Sequence, residues 1–160
     1  MVDLTKRRLF TRQEVDKDSI RLPWLKDTES FIQGCTRCGD CSDACETNII
    51  VKGDGGFPTI DFSRGECTFC YRCAEACPEQ LFTAVEQRPW NAKANIQAGC
   101  LAHQQVECRS CGDMCEPMAI QFQLSAGRVA MPVISLEDCN GCGACVAVCP
   151  STAILIEHQK

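Results

Sequence analysis

The apolar positions of this chain come in short runs separated by turn residues, and the runs predict strands. Ile49–Val51 and Thr59–Phe62 flank Gly53, Asp54, Gly55 and Gly56, the pattern of a β-hairpin. Ile120, Phe122 and Leu124 alternate with Gln121 and Gln123, the period-two signature of a half-buried strand. Gly127 sits in the turn that follows. Pro132 has no amide hydrogen to give a ladder, so the returning strand is expected to be an edge or irregular. A last strand is predicted over Ala153–Ile156. The stretch 86–99, EQRPWNAKANIQAG, shows no hairpin pattern and reads as a connector carrying Trp90.

These few strands cannot hold 160 residues together by apolar burial. Leu, Ile, Val and Phe make up about a fifth of the chain, close to the level at which folding on a hydrophobic core fails. Cysteine changes the picture, at 16 of 160 residues. It is organised as an internal repeat of four groups. CTRCGDCSDAC carries Cys35, Cys38, Cys41 and Cys45, and CTFCYRCAEACP carries Cys67, Cys70, Cys73 and Cys77. CLAHQQVECRSCGDMCEP carries Cys100, Cys108, Cys111 and Cys115 with a stretched first gap, and CNGCGACVAVCP carries Cys139, Cys142, Cys145 and Cys149. The groups account for every cysteine.

A secreted disulfide scaffold would need a signal peptide. Residues 1–24 instead interleave Lys6, Arg7, Arg8, Arg12, Lys17 and Arg21 with Glu14, Asp16 and Asp18, and no apolar run follows. Nor does any stretch approach the roughly 18 apolar residues of a membrane span. The expectation is a cytoplasmic protein whose patterned thiols serve metal or redox chemistry.

The run C-x₂-C-x₂-C-x₃-C-P is the bacterial [4Fe–4S] signature, whose fourth Cys ligates the other cluster of a pair. Two-residue gaps let three thiolates reach three corners of a cube while loop amides turn toward its sulfides. Small residues ease that approach: Gly39, Gly112, Gly141 and Gly143. By this rule Cys35, Cys38, Cys41 and Cys77 hold one cluster, and Cys67, Cys70, Cys73 and Cys45 its neighbour. Cys100, Cys108, Cys111 and Cys149 hold the third, and Cys139, Cys142, Cys145 and Cys115 the fourth. Pro78 and Pro150 follow their Cys as the pattern asks, whereas Glu46 and Glu116 follow Cys45 and Cys115. Structural zinc prefers two well-separated C-x₂-C knuckles and fits three consecutive two-residue gaps badly. Cys100 leaves two readings open, a fourth ligand or a bystander beside a three-iron site. His103, in the same gap, reads as a surface residue, as does His158 near the end. Phe69 and Tyr71 are expected to pack over a cluster and keep water off its sulfurs.

The fold class that results is α+β: two tandem bacterial-ferredoxin-like modules, small and cluster-stapled, each binding two [4Fe–4S] clusters. Residues 1–30 form a polar basic segment, 31–86 the first module, 87–99 a connector and 100–160 the second. Short helical turns carrying the fourth Cys are expected after each motif. Groups pair one with two and three with four, or nest with one and four around two and three. The formal net charge of −5, to which clusters would add, argues against nucleic acid as a partner. No nucleophile–base constellation or phosphate loop is present, so no enzymatic role is expected.

Beyond the cysteines, further strings carry information. LPW (22–24), GCTRCGDCSDACETNII (34–50), GGFPTIDFSRGECTFCYRCAEACPEQLF (55–82), RPW (88–90), the irregular third motif through CEPMAIQF, and CNGCGACVAVCPSTAI (139–154) together resemble the NapF type. These are ferredoxin-type accessory proteins of the periplasmic nitrate reductase system. The resemblance covers nearly the whole chain, and CEPMAI is its most specific element. It implies a cytoplasmic protein with four [4Fe–4S] clusters that acts on the catalytic subunit of the periplasmic nitrate reductase before export. Electrons, iron–sulfur equivalents or a holding surface are the services it could provide; a general ferredoxin serving several reductases is the alternative. Arg7-Arg8-Leu9-Phe10 resembles the core of a twin-arginine signal, yet the residues after it are polar. The segment is either a solvated basic tail or an arm that docks on a partner or on export machinery.

Overall fold

The structure is a computed structural model that describes residues 20–159. The Arg7-Arg8 segment lies outside the described residues.

The first module opens with a strap, Ile20–Leu25, laid against a hairpin. The hairpin pairs β1 (Ile50–Lys52) with β2 (Pro58–Ile60) antiparallel, with Ile50 opposite Ile60. Between them Gly55 and Gly56 turn the chain through positive φ of 62° and 77°, which a residue with a β-carbon resists. The Ile60 amide and the Thr59 hydroxyl both donate to the carbonyl of Ile20, so the strap extends the hairpin's edge. Helix α1 (Thr28–Gly34) follows, its first turn capped by Asp27 Oδ1 accepting from the Ser30 amide at 2.7 Å. It buries Phe31 against Phe57.

Four further helices are single turns: α2 (Asp40–Asp43), α3 (Arg72–Glu75), α4 (Ser110–Asp113) and α5 (Ala144–Ala147). Each contains the third Cys of its group, and the fourth Cys stands just beyond its end. The amides of Cys45, Cys77, Cys115 and Cys149 still donate to the carbonyl three residues back, at 3.1–3.2 Å. The expected helical turns are therefore present one step earlier than expected. Packing of α2 on α3 and of α4 on α5 pairs group one with two and three with four, which rules out the nested arrangement.

The second module carries a hairpin of β4 (Ile120–Gln123) and β5 (Met131–Ile134), with Pro132 opposite Phe122. It also has a second sheet, β3 (Ala92–Ile96) antiparallel to β6 (Ile154–His158).

Two details add to the domain division. Residues 92–96 of the connector form β3, whose Ala92 backbone lies against Gly141 and whose Ala94 amide reaches Cys139 Sγ. The polar N-terminal segment ends at the strap, because Leu22, Pro23 and Trp24 are buried in the first module. Trp24 is locked there by backbone bonds to Pro89 and Thr83.

One apolar cluster runs through both modules, from Ile20 and Ile49 to Ile154 and Ile156. At the seam Phe62 lies on Gly143, and Trp90 meets Phe62 and Phe69 edge-on at 6.2 and 5.7 Å. Trp24 continues the row to Phe69 and Tyr71.

Candidate metal centre

The cysteine loops owe their shape to backbone hand. In the first, second and fourth groups the residues on either side of the second Cys are left-handed: Arg37 and Gly39, Phe69 and Tyr71, Gly141 and Gly143. Alternation of right- and left-handed residues converges successive amides on one point, a concavity suited to an anion. Arg37, Phe69 and Tyr71 hold this conformation at a cost of about 1–2 kcal/mol each, since left-handed backbone crowds a β-carbon. The third group lacks it. Its counterpart of Gly39 and Gly143 is Arg109, with φ of −132°, and Glu107 is not left-handed either.

All sixteen cysteines are free thiols, and they line four cavities in sets of four. Site one is lined by Cys35, Cys38, Cys41 and Cys77. Site two is lined by Cys67, Cys70, Cys73 and Cys45. Site three is lined by Cys100, Cys108, Cys111 and Cys149. Site four is lined by Cys139, Cys142, Cys145 and Cys115. In every case three thiols come from one group and the last from its partner group. Cys100 joins its set in spite of the long gap, because residues 101–105 form tight turns that bury Ala102 and bring the chain back. His103 is exposed and stands outside the cavity lining.

Burial dominates the chemistry of the thiols. It pushes Cys73 and Cys145 up to about 12, and Cys41, Cys67 and Cys111 up to about 11, with neighbouring cysteines adding to the shift. Cys45 goes the other way: burial raises it, but bonds from the Thr47 side chain and from the Ile49, Ile50 and Thr47 amides together bring it below the ordinary value. Sets of buried, mutually repelling thiols become stable thiolates only around a cationic centre. Among the described residues no group of three or more His, Cys, Asp or Glu is arranged to hold a single metal ion. The all-thiol donor sets, the left-handed loops and the room between the sulfurs fit an iron–sulfur cube.

The sites adjoin one another in succession. Cys73 of site two feels Cys41 of site one, Cys67 of site two feels Cys142 of site four, and Cys145 of site four feels Cys111 of site three. At the seam the Cys67 amide donates to the Cys142 carbonyl at 2.8 Å. The order is one, two, four, three.

Sequence reasoning missed three contributors. Trp24 closes over Phe69 and Tyr71, Trp90 donates from Nε1 to the Asn140 carbonyl at 2.9 Å, and buried Lys93 donates to the Cys139 carbonyl. Lysine in a polar stretch gives no sign that it is buried, so only the tryptophans could have been singled out.

Comparison with known proteins agrees with this geometry. The 4Fe-4S dicluster domain family matches the chain twice, over residues 34–81 and 106–153, the second match beginning after Cys100. A ferredoxin-type protein NapF of Escherichia coli K12 is 46% identical over 158 residues, covering 98% of this chain and 96% of the relative. One from Haemophilus influenzae is 49% identical over 152 residues, covering 95% and 86%. A methylamine utilization ferredoxin-type protein MauM of Paracoccus denitrificans is 26% identical over 157 residues, with 87% of this chain matched to 70% of that protein. Among the described residues no helix is long and apolar enough to cross a membrane. A chain with two dicluster domains and this degree of likeness over nearly its full length belongs to the NapF-type ferredoxins, iron–sulfur proteins of the 4Fe–4S class.

Proposed function

We propose that this chain holds four [4Fe–4S] clusters, one per cysteine-lined site, and serves in the cytoplasm on the catalytic subunit of the periplasmic nitrate reductase before that subunit is exported. The observation that carries the reading is the division of sixteen cysteines into four sets of four, each lining its own cavity. When bound, such clusters supply one-electron transfer without bond making or breaking. The chain's own part is to ligate, to exclude water and to set spacing. The Cys45, Cys77, Cys115 and Cys149 thiols reach across to the partner group, so each site clamps both halves of its module. Trp24 and Tyr71 line site two, Trp90 packs on Phe69 and bonds the Asn140 carbonyl of the site-four loop, and the succession of sites offers passage from one module to the other. The role is that of a redox or maturation partner and not of an enzyme. The resemblance to NapF proteins supports the nitrate reductase assignment.

Anaerobically purified protein is expected to contain about sixteen iron atoms and as many acid-labile sulfides per chain. Zinc at one ion per four cysteines, with no sulfide, would end the cluster reading. Co-purification with the unexported catalytic subunit tests the partner. No complex, together with equally fast reduction of unrelated acceptors, would replace that assignment with a general electron carrier.

A further inference from the structure

Lys93 is 4% exposed, at the second position of β3. A buried lysine normally faces a carboxylate. Among the described residues Lys93 makes no ion pair. Its neighbour across the ladder, Glu157, is exposed and accepts a bond from Asn95 Nδ2 at 2.8 Å. The Lys93 ammonium turns the other way and donates to the carbonyl of Cys139. The next residue, Ala94, sends its amide to Cys139 Sγ at 3.5 Å. Cys139 is itself buried, and a β-carbon on nearby Gly141 would strike the backbone of Ala92. The strand therefore covers the loop of site four and sets one ammonium behind it, on the Cys139 carbonyl. None of the other three sites has a buried lysine among the described residues.

The geometry points to Lys93 as the counter-charge of site four, a positioning residue that makes that site easier to reduce than it would otherwise be. The inference rests on site four holding a [4Fe–4S] cluster. Four thiolates around an iron–sulfide core leave the site negative, and reduction adds one electron and no proton, deepening that charge. A fixed cation behind the Cys139 loop stabilises the reduced state more than the oxidised one. Removing it should lower the reduction equilibrium constant of that one site about tenfold, the scale of losing one unit charge beside a partly buried site.

The test uses the whole protein, loaded anaerobically and titrated with titanium(III) citrate, which is oxidised to titanium(IV) as each site takes its electron. Iron is counted first: parent protein without four clusters sinks the cluster reading and leaves Lys93 out of account. Lys93→Gln keeps a donor for the Cys139 carbonyl and discards the charge. In that variant one of the four reducing equivalents should move to lower potential with iron content unchanged, and it should be the equivalent that is altered in Cys115→Ala. Lys93→Arg should titrate like the parent. Superimposable curves for parent and Lys93→Gln overturn the inference, as does Lys93→Arg behaving like Lys93→Gln. Should Lys93→Gln shed iron, loss of about four atoms in the glutamine variant with retention in the arginine variant supports the charge role. Equal loss in both overturns it.

Discussion

Substitution of Gly143 by Ala tests whether the two modules are one rigid body. Two costs add at this position. The φ of Gly143 is +83°, and an L-residue held there loses about 1–2 kcal/mol. A β-carbon would also overlap the Phe62 ring, whose Cγ lies 2.6 Å from the required position. Overpacking of that kind costs about 1–3 kcal/mol, because Phe62 is itself wedged against Trp90 and has nowhere to go. The sum is about 2–5 kcal/mol, a large fraction of the roughly 5–15 kcal/mol that holds an ordinary domain together. Gly39→Ala and Gly127→Ala supply the controls. Both positions are left-handed, with φ of +99° and +72°, and both have nothing within 4 Å of the added carbon. They carry the backbone cost alone, one beside site one and the other in the hairpin turn far from any site. Loss of clusters makes unfolding irreversible, so the assay is the midpoint of visible-absorbance loss on heating at one fixed scan rate. Gly143→Ala should melt several degrees below both controls, at about 2–4 °C per kcal/mol for a chain of this size. Coincidence of the three midpoints would refute a tightly packed seam.

Other outcomes follow from the same geometry. Cys45→Ala should empty site two, and Cys77→Ala site one, each losing the spectroscopic signature of the neighbouring group's cluster; loss confined to the mutated group's own cluster refutes crossed ligation. Cys38 and Cys70 are both exposed second cysteines, but site one is terminal and site two lies at the seam. Cys38→Ala should therefore cost about four iron atoms and Cys70→Ala more, because site four leans on the loop of site two; equal losses argue against that dependence. Site three, whose loop lacks left-handed residues around Cys108, offers fewer converging amides to an added electron and should titrate at the lowest potential of the four. Persistence of the lowest step in Cys149→Ala refutes this.

The grouping of the cysteines around four cavities was legible because C-x₂-C-x₂-C leaves the chain little freedom: three thiols so close in sequence face one cavity, and the fourth lines the cavity of the partner group. Gln121 and Gln123 announced β4 for a similar reason, since period-two patterning admits one backbone. Burial along that strand nevertheless fades from Ile120 to Leu124, which is 79% exposed past the strand's end. A local pattern says which face a residue shares, and only tertiary neighbours decide whether that face is covered. The strand β3 was hidden for the same cause. Its sequence AKANI has weak strand propensity, and its partner β6 lies some sixty residues further along the chain. The strap Ile20–Leu25 was hidden because polar residues precede it; the buried Arg21, Leu22 and Trp24 acquire their place only from the first module's hairpin and from residues 82–89. Left-handed Phe69 and Tyr71 could not be foreseen either, since bulky residues rarely adopt that conformation unless the surroundings impose it.

Those surroundings explain why a chain so poor in apolar residues has one body and not two. Among the described residues the first module has a two-stranded hairpin, the seven-residue α1 and two single-turn helices, and the second a hairpin, one further two-stranded sheet and two single-turn helices; such elements are marginal by themselves. Each cavity draws its cysteines from both groups of one module, so clusters held there would tie the halves of a module and not module to module. That task falls to Phe62, Phe69 and Trp90 at the seam and to the backbone bond from Cys67 to Cys142. The residues that join the modules are thus the residues that bring their inner sites together. A change that loosened the seam would widen the gap in the succession of sites at the same moment, so selection for a continuous succession and selection for a stable fold act here on the same few side chains.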